Sequence, residues 1–330
     1  MAEKIVLLIT HSKDYYTIDR VKGAVSRKGY RPYRFNTDKF PQDLKLAIHL
    51  DRSDPVLSLE DGDQKIIIDS KDIYSVWFRK IGSPYIDEKM DPVLRDGCIK
   101  ESKEVLEIFL KELNAGNSVR CIDHPATVRK VENKLYQLKT AQAVGMRIPK
   151  TLITNNPRQL KEFYRHMKGN IVAKMLTPLT ISMKGNTPFV FTSRVGPEDL
   201  ENAEMLRYSP MAFQEFVDKD YELRVIYVDG RLFTGAIQTN VFSQETVDWR
   251  AANHSEFKWQ NFTMQGEFSD KIQAFMKKVG LSFGALDVIV KPDGEFVFLE
   301  VNPTGEWGML ERDLNLPISE AIADALTHST

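Results

Sequence analysis

The most restrictive stretch of the 330-residue chain is Gly284-Ala-Leu-Asp-Val-Ile-Val-Lys-Pro-Asp-Gly-Glu-Phe-Val-Phe-Leu-Glu-Val-Asn-Pro303. Two runs of β-branched and aromatic residues flank Asp293-Gly294, so the segment reads as a β-hairpin. A symmetric loop centred on that dipeptide sets Asp287 directly opposite Glu300. Alternation of faces then puts Asn302 with Glu300 and turns Leu286, Val288, Leu299 and Val301 to the other side. Opposed carboxylates ~5 Å apart repel by about 3 kcal/mol at an effective dielectric near ~20. A hard divalent cation relieves that repulsion and favours carboxylate and amide oxygens. Magnesium takes few protein oxygens and completes its shell with phosphates, so a metal here implies a nucleotide. The plain alternative is a solvated polar strip on a surface hairpin, and a bulged loop would break the register.

The rest of the chain supplies a setting for such a hairpin. Ile5–Ile9 is an unbroken apolar run, the pattern of a strand buried on both faces. A helix over 14–28 and a strand over 33–35 follow, a parallel strand–helix–strand opening. Short strands are expected at 45–50, 65–68, 75–78 and 119–122, with helices over 91–113 and 127–144. After Pro149 the pattern turns to antiparallel hairpins: strands at 151–154, 171–174, 189–193, 211–216, 222–228 and 232–237, with helices over 158–167, 270–279 and 318–326. The fold class is α/β followed by α+β. The boundaries fall at 1–120, an N-terminal α/β domain; 121–210, a central lobe; and 211–330, a C-terminal lobe carrying the hairpin.

Composition narrows the function. Lys and Arg number 45 against 46 Asp and Glu, a net charge of -1, which argues against a general nucleic-acid or anionic-membrane binder. Balance constrains the whole surface and leaves room for a local basic pocket. Cys98 and Cys121 lack metal-ligand spacing and read as packing residues. The apolar start is too short for a signal peptide, and no run approaches the ~20 apolar residues of a membrane span, so the expected location is cytoplasmic.

Two lysines suit phosphate: Lys174 at the end of Ile171-Val-Ala-Lys, and Lys134 in Glu132-Asn-Lys-Leu. A strand-end lysine on its own is more often surface decoration. The polar Thr177–Pro188 stretch reads as a mobile lid or a hairpin loop. Glu222 and Arg224 share a strand face, as a ribose and phosphate pair or as a cross-strand salt bridge. Arg250 lies in a loop.

Lys134, Lys174, Gln214-Glu-Phe-Val217, Glu222-Leu-Arg224, Asp287 and Phe298-Leu-Glu-Val-Asn-Pro303, in that order, resemble the ATP-grasp superfamily. The N-terminal domain resembles the family's pre-grasp domain, and the two lobes its grasp. The chain is similar above all to the microviridin-type ligases that cyclise ribosomal peptides, the graspetide synthetases. Leu7-Leu-Ile-Thr-His-Ser12, Phe35-Asn-Thr-Asp-Lys-Phe-Pro41, Val76-Trp-Phe-Arg79, Val247-Asp-Trp-Arg250 and Asn302-Pro-Thr-Gly-Glu-Trp-Gly-Met-Leu-Glu311 carry this likeness. The last stretch resembles the lactam-forming member more than the lactone-forming one. The resemblance implies ATP and magnesium as cofactors. Lys134 and Lys174 would contact phosphates, Gln214, Glu215, Phe216 and Val217 would line the adenine pocket, and Glu222 would hold the ribose. Asp287, Glu300 and Asn302 would bind magnesium, while Arg224 and Arg250 would stabilise the phosphate and an acyl phosphate. It also implies a homodimer and a precursor peptide whose helical leader docks at Glu198, Asp199 and Asn202. Read on its residues alone, that stretch is an acidic helix start after Pro197. Two rivals stand beside peptide cyclisation: another ATP-grasp ligase acting on a free amino acid, and an ATP-binding module without turnover.

Overall fold

The structure, a computed structural model, describes residues 4–50, 55–62, 66–113, 119–176, 192–238, 258–264 and 266–328. β1 (Ile5–Thr10) is buried along its whole length and pairs in parallel with β2 (Arg31–Asn36) on one side and β6 (Ile73–Phe78) on the other. β7 (Arg120–Ile122) extends β6, giving the order β2-β1-β6-β7, with α1 (Thr17–Arg27) as the first crossover. This is the predicted parallel opening. A small antiparallel sheet, β3 (Leu44–His49), β4 (Val56–Asp61) and β5 (Ile66–Asp69), is inserted before β6. The sequence reading missed β4, although its buried Leu57, Leu59 and Asp61 alternate as a half-buried strand should. α2 (Pro92–Glu112) follows, its first turn capped by the Asp91 carboxylate, which accepts from the backbone N–H of Val93 and Leu94.

The single helix expected over 127–144 is two, α3 (Pro125–Val131) and α4 (Lys134–Ala143). Asn133 is the reason: its Oδ1 accepts from the Tyr136 N–H at 3.0 Å, so it caps a new helix instead of continuing the old one. Lys134 thereby becomes the first residue of α4.

The second half holds two antiparallel sheets. β8 (Thr151–Thr154), β9 (Ile171–Lys174), β10 (Ser193–Arg194) and β11 (Met211–Glu215) run in the order β10-β9-β11-β8, backed by α5 (Pro157–His166) and the short α6 (Pro197–Glu201). β11 belongs to this sheet, so the central sheet ends at Glu215, beyond the expected boundary at 210. β12 (Tyr221–Val228), β13 (Arg231–Gln238), β14 (Gln260–Asn261), β15 (Phe283–Val290) and β16 (Phe296–Asn302) form the last sheet, with β12 against β15 and β15 against β16. α7 (Glu267–Val279) covers one face. α8 (Gly308–Leu314), absent from the sequence reading, and α9 (Ile318–Thr327) lead back to the beginning of the chain. Buried Val6, Ile18 and Val25 pack in one cluster with Ile226, Phe283, Trp307, Ile322 and Leu326, so the first and last parts of the chain share a core. Among the described residues no helix is long and apolar enough to cross a membrane.

The β15–β16 hairpin reaches the predicted pairing by an unexpected route. Its loop is not symmetric about Asp293-Gly294: the Lys291 N–H donates to the Glu295 carbonyl, and Gly294 sits at φ 85°. Val290, Ile289 and Val288 therefore face Phe296, Val297 and Phe298, one residue out of the expected register. A bulge follows, and beyond it Asp287 lies opposite Glu300. The extra residue is Leu299, which leaves its expected face and packs with Val217, Ile289 and Val297. Two departures from the simple ladder cancel.

Candidate active site

The cleft between the last two sheets is lined by residues of both. Lys174 comes from the end of β9, Gln214 and Glu215 from β11, Phe216, Val217 and Lys219 from the following link, Glu222 from β12, and Asp287, Ile289, Leu299 and Glu300 from the hairpin. Val217, Ile289, Val297 and Leu299 make an apolar floor, which the bulge at Leu299 completes. Gln214 is buried and donates from Nε2 to Thr151 Oγ1 at 3.0 Å. The Glu215 carboxylate is held by Arg147 at 2.7 and 2.8 Å and by the Lys150 N–H. Burial opposes its charge, but these donors hold its carboxyl below the usual range. Arg194 stacks on the Phe216 ring, 3.4 Å from its centroid. Glu222 is paired with Lys219.

Glu300 is the focus of positive charge. Its Oε2 lies 2.6 Å from Lys134 Nζ and 3.1 Å from Lys174 Nζ, and the residue is buried. Burial alone would push its carboxyl upward. Lys174 and Lys134 outweigh that and hold it far below the ordinary carboxylate range. Across the ladder, Arg224 Nη1 meets Asp287 Oδ1 at 2.6 Å, as their shared register on β12 and β15 requires. The repulsion that the sequence reading used to demand a metal is thus already offset by three protein cations. Asn302 sits two pairs further on, opposite Ala285.

The seat of Lys134 depends on a residue the sequence reading passed over. Gln137 is buried on α4; its Nε2 donates to the Val131 and Val301 carbonyls at 2.6 and 2.9 Å, and its Oε1 accepts from the Val301 N–H at 3.0 Å. One side chain thus seals the α3–α4 break and fixes α4 against β16, one residue from Glu300.

Arg79, Lys80 and Glu306 were missed as well, though Arg79 and Glu306 fell inside stretches quoted for the family likeness. Arg79 follows β6 with its side chain fully buried, donating to the Thr304 carbonyl at 2.5 Å and to Glu306 Oε2 at 2.8 Å. Nothing in the local sequence signals a partner more than two hundred residues away. The Nε atoms of Arg79 and Arg224 are buried without a hydrogen-bond partner among the described residues. Arg79 Nε faces the buried Asp14 carboxylate 3.8 Å away, so the spare donor that suits an anionic ligand is that of Arg224 beside Asp287. Arg250 and the Thr177–Pro188 stretch lie outside the described residues. Glu198, Asp199 and Asn202 are exposed on and just after α6 and do not line the cleft. Asp199 caps that turn through the Gly196 N–H at 2.7 Å.

Among the described residues no cluster of three or more His, Cys, Asp or Glu side chains forms a metal cage. Two facing carboxylates and an amide still fit a magnesium ion whose remaining ligands come from phosphates and water.

Residues 5–129 match the family model described as the MvdD pre-ATP grasp domain. The crystal structure of macrocyclase MdnB from Microcystis aeruginosa MRC is 43% identical, with a TM-score of 0.82, covering 99% of this chain and 100% of that one. Macrocyclase MdnC from the same source, solved bound with precursor peptide MdnA, is 33% identical with a TM-score of 0.86 over 98% of this chain and 100% of that one. A Chryseobacterium gregarium RiPP-associated ATP-grasp ligase, solved with ADP and a leader and core peptide, is 30% identical with a TM-score of 0.90, covering 98% of this chain and 96% of that one. On these grounds the chain belongs to the ATP-grasp ligases of the graspetide, microviridin-type family.

Proposed function

We propose that this ligase closes rings in a ribosomally made precursor peptide, using ATP to activate a side-chain carboxylate as an acyl phosphate. The observation that carries the reading is the convergence of Lys134 and Lys174 on Glu300, directly opposite the Arg224–Asp287 pair, in a cleft floored by Val217 and Leu299. Both lysines pass to the nucleotide phosphates when ATP enters, which frees Glu300 for a cation. Gln214–Val217 line the adenine pocket and Glu222 takes the ribose. Asp287, Glu300 and Asn302 would hold magnesium, which supplies charge neutralisation at the phosphates.

Arg224, with Arg250, stabilises the transferring phosphoryl group and the acyl phosphate. A Lys amine or a Ser/Thr hydroxyl of the same peptide then attacks. Positioning and electrostatics do this work, so no protein nucleophile is needed. We further propose that the leader docks at Glu198, Asp199 and Asn202, that the chain acts as a cytoplasmic homodimer, and that it works as three lobes with boundaries near 120 and just after Glu215. Peptide-dependent ADP release tests the reading. A leader-bearing precursor should stimulate release in magnesium, and stimulation by free amino acids in its place would contradict it.

A further inference from the structure

We infer that Glu306 receives the amine that closes the ring and so selects a lysine over a hydroxyl acceptor; this rests on the proposed cyclisation. β16 ends at Asn302 and the chain turns at once, with the Gly305 N–H donating to the Asn302 carbonyl at 3.0 Å. A Cβ on Gly305 would lie 2.5 Å from the Ala285 Cβ, so the turn is pressed onto β15. This holds Glu306 at the Asn302 end of the hairpin, where burial opposes its charge and Arg79, Lys80 and, more weakly, Arg224 keep its carboxylate ionised.

The two oxygens of Glu306 are used differently. Oε2 is fixed from behind by Arg79, whose own side chain is fully buried. Oε1 faces outward on a side chain that is 50% exposed, and it holds the ammonium of Lys80. A carboxylate with one oxygen locked and the other holding a primary ammonium is a receptor for a lysine side chain. Lys80 occupies the place that the acceptor lysine would take. A neutral hydroxyl would gain a hydrogen bond roughly half as strong as the charge-assisted one. Glu306 binds and aims the amine. The amine arrives as an ammonium, loses a proton to water, and its lone pair attacks the acyl-phosphate carbon. The C–O bond to phosphate breaks, the second N–H proton ends on the departing phosphate, and an amide remains.

The test compares wild type with Glu306→Gln on two synthetic versions of a cyclised precursor, one with Lys and one with Ser at the acceptor position. Hydroxylamine is added separately to trap the acyl phosphate as a hydroxamate. The variant is expected to form hydroxamate within about 2-fold of wild type, which also shows that it is folded, while Lys ring closure falls by about 30-fold and the Ser peptide is unaffected. Equal loss of hydroxamate and ring, or unchanged closure of the Lys ring, overturns the assignment. Lys80→Ala keeps Glu306 and Arg79 in place and should lower KM for the Lys peptide several-fold without changing that for the Ser peptide; equal effects on both overturn it independently. A wild type that makes neither ring nor hydroxamate from any precursor refutes the cyclisation reading itself and removes this inference with it.

Discussion

Glu300 sits between two ammonium groups, and removing its charge leaves both facing each other in a cleft that must also hold a triphosphate. Glu300→Gln is expected to cut turnover by at least about 100-fold while leaving the circular dichroism spectrum native. That range matches the loss of several kcal/mol of transition-state stabilisation. Activity retained at saturating magnesium would contradict the metal assignment. Part of the hairpin was legible in the sequence: Asp-Gly marks the turn and period two puts Asn302 on the face of Glu300, but Asp287 meets Glu300 as read only because the asymmetric loop and the Leu299 bulge cancel. The site was not legible where a side chain acts at long range. Gln137 serves Val301 from 164 positions away and Arg79 serves Glu306 from 227, and no local pattern encodes either. Carboxylate repulsion is likewise relieved at long range, by Lys134, Lys174 and Arg224 from other elements.

At the scale of elements, the α3–α4 break and the Leu299 bulge are what position the chemistry. Gln137→Ala leaves the Val301 N–H and carbonyl without their partner in a buried place, which should cost about 2–3 kcal/mol in urea melts. Because α4 then loses its tie to β16, KM for ATP should rise by about 10-fold as Lys134 loses its seat. Unchanged KM would show that Lys134 is placed by something else. Asp123 makes another junction: its carboxylate, at the end of β7, accepts from the Ser282 and Phe283 N–H groups at the start of β15, at 2.8 and 2.9 Å. Burial nevertheless pushes its carboxyl up to about 6. A folded pKa above the unfolded one means stabilisation that is full below about pH 4 and lost as pH rises through about 6. Relative to Asp123→Asn, wild type should therefore lose about 2 kcal/mol between pH 4.5 and 7.5. A gap independent of pH would contradict this.

At the scale of the whole molecule, the chain is less divided than its three-part sequence pattern suggests. α9 packs on α1, Lys28 pairs with Asp324 at 2.5 Å, and Arg20 pairs with Glu311 at 2.7 Å. One core joins the parallel sheet to the last antiparallel one. Periodicity predicted most helices and strands, though not α8 or the break between α3 and α4, and it could not show that the last helix returns to the first. Ile322→Ala, at a fully buried position, should cost about 2–5 kcal/mol. Probes in the first and last sheets should shift together in urea; separate transitions would contradict a shared core. This joining also lets Arg79 and Lys80, just after β6, meet Glu306 just after β16.

Ring closure within one peptide is decided by incubating the ligase with a leader-bearing precursor, ATP and magnesium and fragmenting the product in a mass spectrometer. The expected product has lost one water for each ADP released, with the fragments inside an Asp/Glu-to-Lys link missing. An ADP-yielding reaction whose peptide gains the mass of a free amino acid, or keeps its mass unchanged, would contradict it.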